Sequence, residues 1–169
     1  MSNSVVSYFG LIFIGIGATV LMDFWGLFLK HAFKIAPSNM GLLGRWLLYM
    51  PQGIFRHTSI GSATRKSGEC AVGWIAHYLV GILFAIAFVT FVGSDWLRHP
   101  VLIPALGFGL VTVSMPFFIM QPAFGLGFVA SKTSNPNQAR LRSLMNHSVF
   151  GMGIYLSGLF LHWLTWIFS

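Results

Sequence analysis

Charge is what this sequence has least of. Only 8% of its 169 residues are charged, and only three of those are acidic, whereas a soluble globular chain carries about 25% charged residues. With 56% hydrophobic residues, the shortfall excludes an ordinary soluble domain. Cysteine is nearly absent too. The single Cys70 excludes an internal disulfide, a CxxC redox pair and a thiolate metal cluster within one chain. There is no glycine-rich dinucleotide or phosphate loop, no HExxH and no G-x-S-x-G, so nothing points to the chemistries those motifs carry. The net charge of +7 is not a nucleic-acid footprint, because no basic run with interleaved aromatics continues into a soluble segment.

What the sequence does have is long apolar runs. Four stretches nearly free of charge, about residues 5–29, 70–93, 101–130 and 144–168, each exceed the ~20 residues a helix needs to cross the hydrocarbon core. Runs such as LIFIGIG and YLVGILFAIAFVTFV do not alternate apolar with polar, as barrel strands must. The expected fold is all-α: a polytopic four-transmembrane-helix bundle forming a single membrane domain. MSNSVVSYFG lacks a basic n-region, its apolar run is too long for a signal peptide, and no A-x-A site follows, so it is expected to stay as the first span.

The ten basic residues set the orientation. Lys30, Lys34, Arg45, Arg56, Arg65 and Lys66 lie in the connection 30–69, and Lys132, Arg140 and Arg142 in the connection 131–143. Only Arg98 lies between spans two and three. By the positive-inside rule both larger loops are cytoplasmic and both termini periplasmic, with membrane lipids as the immediate partners. The first loop is long for a structureless connection. Pro37-Ser38-Asn39 before MGLLGRWLLYM predicts a short interfacial helix, with Arg45 reaching headgroups and Pro51-Gln52-Gly53 ending it. Tyr8, Trp74, Trp163 and Trp166 fit interfacial belts.

Each span also carries a polar group. Counted from the nearest cytoplasmic charge at a 1.5 Å rise, Asp23, His77, Gln121 and His147 all fall roughly 8–16 Å inside. Gly73, His77, Gly81 and Ala85 are spaced by four, as are Gly15, Thr19 and Asp23, while His147, Gly151, Gly158 and His162 step by four, seven and four. Small-residue stripes of this kind are where membrane helices approach closely, so the four polar groups are expected to face the interior. A carboxylate inside a span is costly and usually pairs, marking an ion or substrate pathway. Asp23 with His77 or His147 is therefore a candidate proton or substrate site, and the same residues can equally be polar glue between helices. Pro116 and Pro122 flank FFIMQ and predict a broken third span near Gln121. On the cytoplasmic face Arg45, His57 and Glu69 are candidates for gripping an anionic head or for acid-base work.

No cofactor is expected. Met120, His147 and Met152 are weak candidates for copper, without a tight Met-x-x-Met or His-x-x-x-His motif. A haem held by His77 and His147 is geometrically conceivable.

The segments GATVLMDFW, GRW, MPQG followed by His57, Gly68-Glu69, GWIAHY, MQPAFGLGFVASKT and RLRSLMNHSVFGMGIYLSG carry a resemblance over nearly the whole chain. In combination they resemble an uncharacterised family of four-span bacterial inner-membrane proteins, known only as a domain of unknown function. The resemblance implies a multi-pass protein of the bacterial inner membrane and places Asp23, Arg45, His57, Glu69, His77, Gln121 and His147 in the motif blocks. It brings no activity, cofactor or substrate. The residues themselves favour a small permease or transport-associated subunit, completed by a homo-oligomer or a partner membrane protein. The alternatives are a structural or partner-binding membrane subunit and an integral membrane enzyme acting on a lipid-soluble substrate.

Overall fold

The computed structural model describes residues 3–167, with side chains from residue 9; the Tyr8 side chain, expected in an interfacial belt, lies outside the described residues. Among the described residues every regular element is helical: α1 (Asn3–Phe33), α2 (Met40–Tyr49), α3 (Glu69–Val92), α4 (Leu102–Thr112), α5 (Gln121–Ala123) and α6 (Pro136–Ile167). Four stretches, Phe9–Phe33, Glu69–Val92, Leu102–Ala123 and Pro136–Ile167, are long and apolar enough to cross a membrane. Only 17% of the most apolar window of α3 is buried by the chain itself, and Phe91 of α3 is exposed, as are Ile103 and Val111 of α4. Helices that are apolar all round and so little covered need lipid as solvent.

The third span is broken where its prolines require. α4 ends at Thr112, Pro116–Met120 forms a single π-helical turn, and α5 adds one more short turn. Pro116 and Pro122 have no N–H to donate, so a regular ladder cannot run through them. The helix ends at Ala123 rather than continuing to residue 130. Gly125, Gly127, Val129 and Ala130 all adopt positive φ, which unwinds the chain into turns.

α2 is the expected short helix, capped by the Asn39 side chain, which accepts from the Gly41 N–H at 3.0 Å. It ends as Pro51 and the left-handed Gly53 dictate, through a 3₁₀ turn over Met50–Gln52. α6 begins at Pro136, with the Asn135 side chain accepting from the Gln138 N–H.

The chain divides into two compact units. The first takes α1, α3 from Tyr78 onward, α4 and α6 from Asn146 onward; the second takes Pro37–His77 and Val113–Met145. Ile14, Ala18, Ala85, Phe88, Ala105, Phe150 and Ile154 form the core of the first unit. Its helices close on one another through small residues: a Cβ on Gly151 would meet the Ala105 carbonyl oxygen at 2.7 Å, and one on Gly153 would meet the Ala18 Cα at 2.6 Å. The core of the second unit is Ile60, Ala123 and Phe124, packed by Leu42, Leu43, Trp46 and Met120.

Candidate functional site

In the first unit, the stripe on α1 meets α3 at its glycines. Gly15 lies against Ile82 and the Gly81 carbonyl, and Gly81 lies against the Thr19 side chain. Thr19 is fully buried and returns its hydroxyl hydrogen to the Gly15 carbonyl at 2.8 Å. One turn farther along α1, Asp23 falls beside Tyr78, which precedes Gly81 by three residues on α3. The Tyr78 hydroxyl donates to Asp23 Oδ2 at 2.9 Å, with both side chains half-buried. A carboxylate oxygen that accepts a phenol hydrogen bond inside a span is held in place by a strong donor.

The other helix pair of this unit positions His147. Gly109 of α4 lies against Gly151 and the His147 carbonyl, and Thr112, one turn on, reaches His147 Nδ1 at 2.8 Å. The same hydroxyl contacts the Gly109 carbonyl at 2.6 Å. A hydroxyl has one hydrogen to give. With that hydrogen on the Gly109 carbonyl, the Thr112 oxygen accepts from His147 Nδ1–H.

In the second unit, α2 crosses the start of α3 through a pair of glycines: Gly44 lies against the Glu69 carbonyl and Gly73, and Gly73 against the Met40 carbonyl. This approach delivers Arg45 to Glu69. Nε donates to Oε2 at 2.7 Å and Nη2 to Oε1 at 2.8 Å, a bidentate fork. Nη1 donates to the carbonyls of Ile60 and Ala63, both at 3.0 Å, and Glu69 Oε2 also accepts from the Lys66 N–H. Arg45 is only 4% exposed. The hydrogen bond to Glu69 outweighs burial and holds the guanidinium above its ordinary range. Headgroup contact, expected for Arg45 from its place in an amphipathic segment, gives way to this internal bridge.

The segment after α2 is not a bare loop. The His57 N–H donates to the Ala123 carbonyl at 2.8 Å and the Ile60 N–H to the Phe124 carbonyl at 3.1 Å. Gly125, at φ +85°, allows the approach, since a Cβ there would strike the Thr58 carbonyl. Trp46 Nε1 donates to the Phe55 carbonyl at 2.9 Å and stacks edge-on against Phe124. The His57 ring stacks against Tyr49 with centroids 4.9 Å apart, and its Nε2 is buried without a hydrogen-bond partner among the described residues. Gln121 is 6% exposed; its Nε2 donates to Ser143 Oγ at 3.3 Å, while Oε1 has no partner among the described residues. His77 packs edge-on against Trp74.

The candidates are therefore divided, with Asp23 and His147 in the first unit and Arg45, His57, Glu69, His77 and Gln121 in the second. Tyr78, Thr112 and Ser143 are partners the sequence reading did not single out. Tyr78 had a signal: it sits beside His77 in GWIAHY and three residues from the stripe glycine Gly81. Among the described residues no three His, Cys, Asp or Glu side chains gather as a metal site.

A family described as "protein of unknown function" (DUF2938) matches residues 12–161. The chain belongs to this family. No curated protein and no solved structure matches it. The matched DUF2938 range takes in Asp23, Tyr78, Thr112 and His147 together with the Arg45–Glu69 bridge.

Proposed function

We propose that this DUF2938 protein is a small permease or transport-associated subunit of the bacterial inner membrane, both termini periplasmic, whose working group is the Asp23 carboxylate. The observation that carries this reading is the Tyr78–Asp23 hydrogen bond at 2.9 Å within the first and second spans. A carboxylate at that depth complements a proton or a cationic solute, and exchange of one for the other at a single group is the simplest proton-linked transport step. In the second unit the broken third span sets a buried Gln121 Oε1, without a hydrogen-bond partner among the described residues, beside its π turn, an arrangement by which discontinuous membrane helices build solute sites. Four spans make a thin wall, so a second copy or a partner membrane protein completes the pathway.

A structural or partner-binding role is the second reading, favoured by the protein partners that Asp23, His147 and Gln121 already have in Tyr78, Thr112 and Ser143. Enzyme action on a lipid-soluble substrate loses its anionic grip at Arg45, which Glu69 and the 60–63 carbonyls occupy. Vesicles containing the protein, assayed for pH-gradient-driven movement of the lipophilic cations ethidium and tetraphenylphosphonium, separate the first two readings. Transport by the wild type that Asp23→Asn abolishes supports the permease. Absence of movement in both, with Asp23→Asn lowering the thermal midpoint, supports the structural role.

A further inference from the structure

The connection between α3 and α4 is pinned to the last turns of α6 by one aromatic ring. Trp96, in the 3₁₀ turn Ser94–Leu97, is 6% exposed, and its six-membered ring edge lies where a Cβ on Gly158 would be, at 2.6 Å. Its Nε1 donates to the Val101 carbonyl at 3.0 Å, and its ring meets Phe88 edge to face with centroids 4.7 Å apart. Gly158 and His162 are four residues apart on α6, so they share a face. His99, one residue before Pro100, which itself lies 3.7 Å from the Gly158 Cβ position, is thereby carried over His162. The two imidazole rings stand 6.3 Å apart centroid to centroid, tilted by 45°.

We propose that His99 and His162 form a binding site for a borderline divalent transition-metal cation, with Cu²⁺ its strongest ligand. The site lies within the first unit and is separate from Asp23. Two imidazoles sharing one metal at the usual metal–nitrogen length of about 2.0–2.1 Å have centroids about 4.5 Å apart at a right angle and about 6.4 Å apart on opposite sides of the metal. The observed spacing matches the opposite placement, which a tetragonal Cu²⁺ offers. Neither ring donates or accepts a side-chain hydrogen bond among the described residues, so no protein group occupies a ring nitrogen there. His99 is exposed and His162 half-buried, so water reaches the pair. No third His, Cys, Asp or Glu completes a protein-only shell among the described residues, leaving the remaining positions to water. An imidazole pair with open positions suits Cu²⁺, Ni²⁺ and Zn²⁺, and Cu²⁺ heads the affinity order.

The test uses the full chain, purified in detergent on a tag without histidine. CuCl₂ is titrated by calorimetry against competing glycine, and the same samples are read by electron paramagnetic resonance. The expected result is one saturable equivalent with superhyperfine structure from two imidazole nitrogens. His99→Gln or His162→Gln each weakens binding about a hundredfold, as a chelate loses its second, intramolecular bond. His31→Ala, a histidine tied to the Leu27 carbonyl, leaves binding unchanged. The spectrum of the wild type needs no variant, so a folding defect in either substitution does not blunt the test. A spectrum without two-nitrogen coupling, or undiminished binding in the His99→Gln, His162→Gln double variant, overturns the proposal.

Discussion

The Tyr78 hydroxyl sits 2.9 Å from Asp23 Oδ2, on helices that two glycines and a buried threonine bring into contact at Gly15, Thr19 and Gly81. The pair is set by backbone packing one turn away. A Cβ at Gly81 would strike Thr19, so widening the α1–α3 approach breaks the hydrogen bond without touching either partner. Gly81→Val is expected to cost about 1–3 kcal/mol of stability through overpacking, and both Gly81→Val and Tyr78→Phe are expected to reduce the proposed cation transport. Thermal unfolding in detergent, alongside vesicle transport, checks both parts.

Arg45 and Glu69 form the polar anchor of the second unit, and removing one partner leaves the other's hydrogen bonds unmade. Arg45→Met is expected to lower the thermal midpoint well beyond the effect of Arg56→Met, whose parent side chain is exposed. Hydrogen exchange should show residues 57–63 losing protection first, because Arg45 holds the Ile60 and Ala63 carbonyls.

Gly44 tests the same anchor through the backbone. Gly44→Ala places a methyl against the Glu69 carbonyl and the Gly73 N–H, with an expected loss of about 1–3 kcal/mol in chemical denaturation. The same substitution at exposed Gly61, whose nearest neighbour is the Ser59 hydroxyl at 3.8 Å, should be close to neutral.

Gln121 should show the opposite balance. Its Oε1 is buried without a partner among the described residues, a desolvation cost that an apolar replacement of similar shape removes, against the loss of one long hydrogen bond from Nε2 to Ser143 at 3.3 Å. Gln121→Met is expected to hold or raise the thermal midpoint while lowering transport, the trade-off of a polar group kept for function.

The helices were legible because lipid imposes a simple demand: long runs without charge. Asn39, Pro51 and Gly53 marked the bounds of α2 by local backbone chemistry alone. The broken third span followed from Pro116 and Pro122, yet its end at Ala123 did not show in hydropathy, since GLGFVA is as apolar as what precedes it and unwinds only through its positive φ angles. Segment 53–68 read as loop because its order comes from backbone bonds to Ala123 and Phe124, some sixty-five residues away, which leave no periodic trace. Asp23 stood out by charge, whereas its partner Tyr78 is an uncharged residue in a span rich in aromatics. Arg45 was misassigned to headgroups because side-chain type gives reach but not direction. Its neighbour Gly44, packed on Glu69, is what turns it inward.

The function proposed for Asp23 is exchange of a proton for a cation. It is tested most directly by adding tetraphenylphosphonium to the purified protein in weakly buffered detergent solution and recording proton release with a pH electrode. The wild type is expected to release protons in proportion to cation bound, and Asp23→Asn to release none. Cation binding without proton release in the wild type, or equal release from Asp23→Asn, would contradict the account.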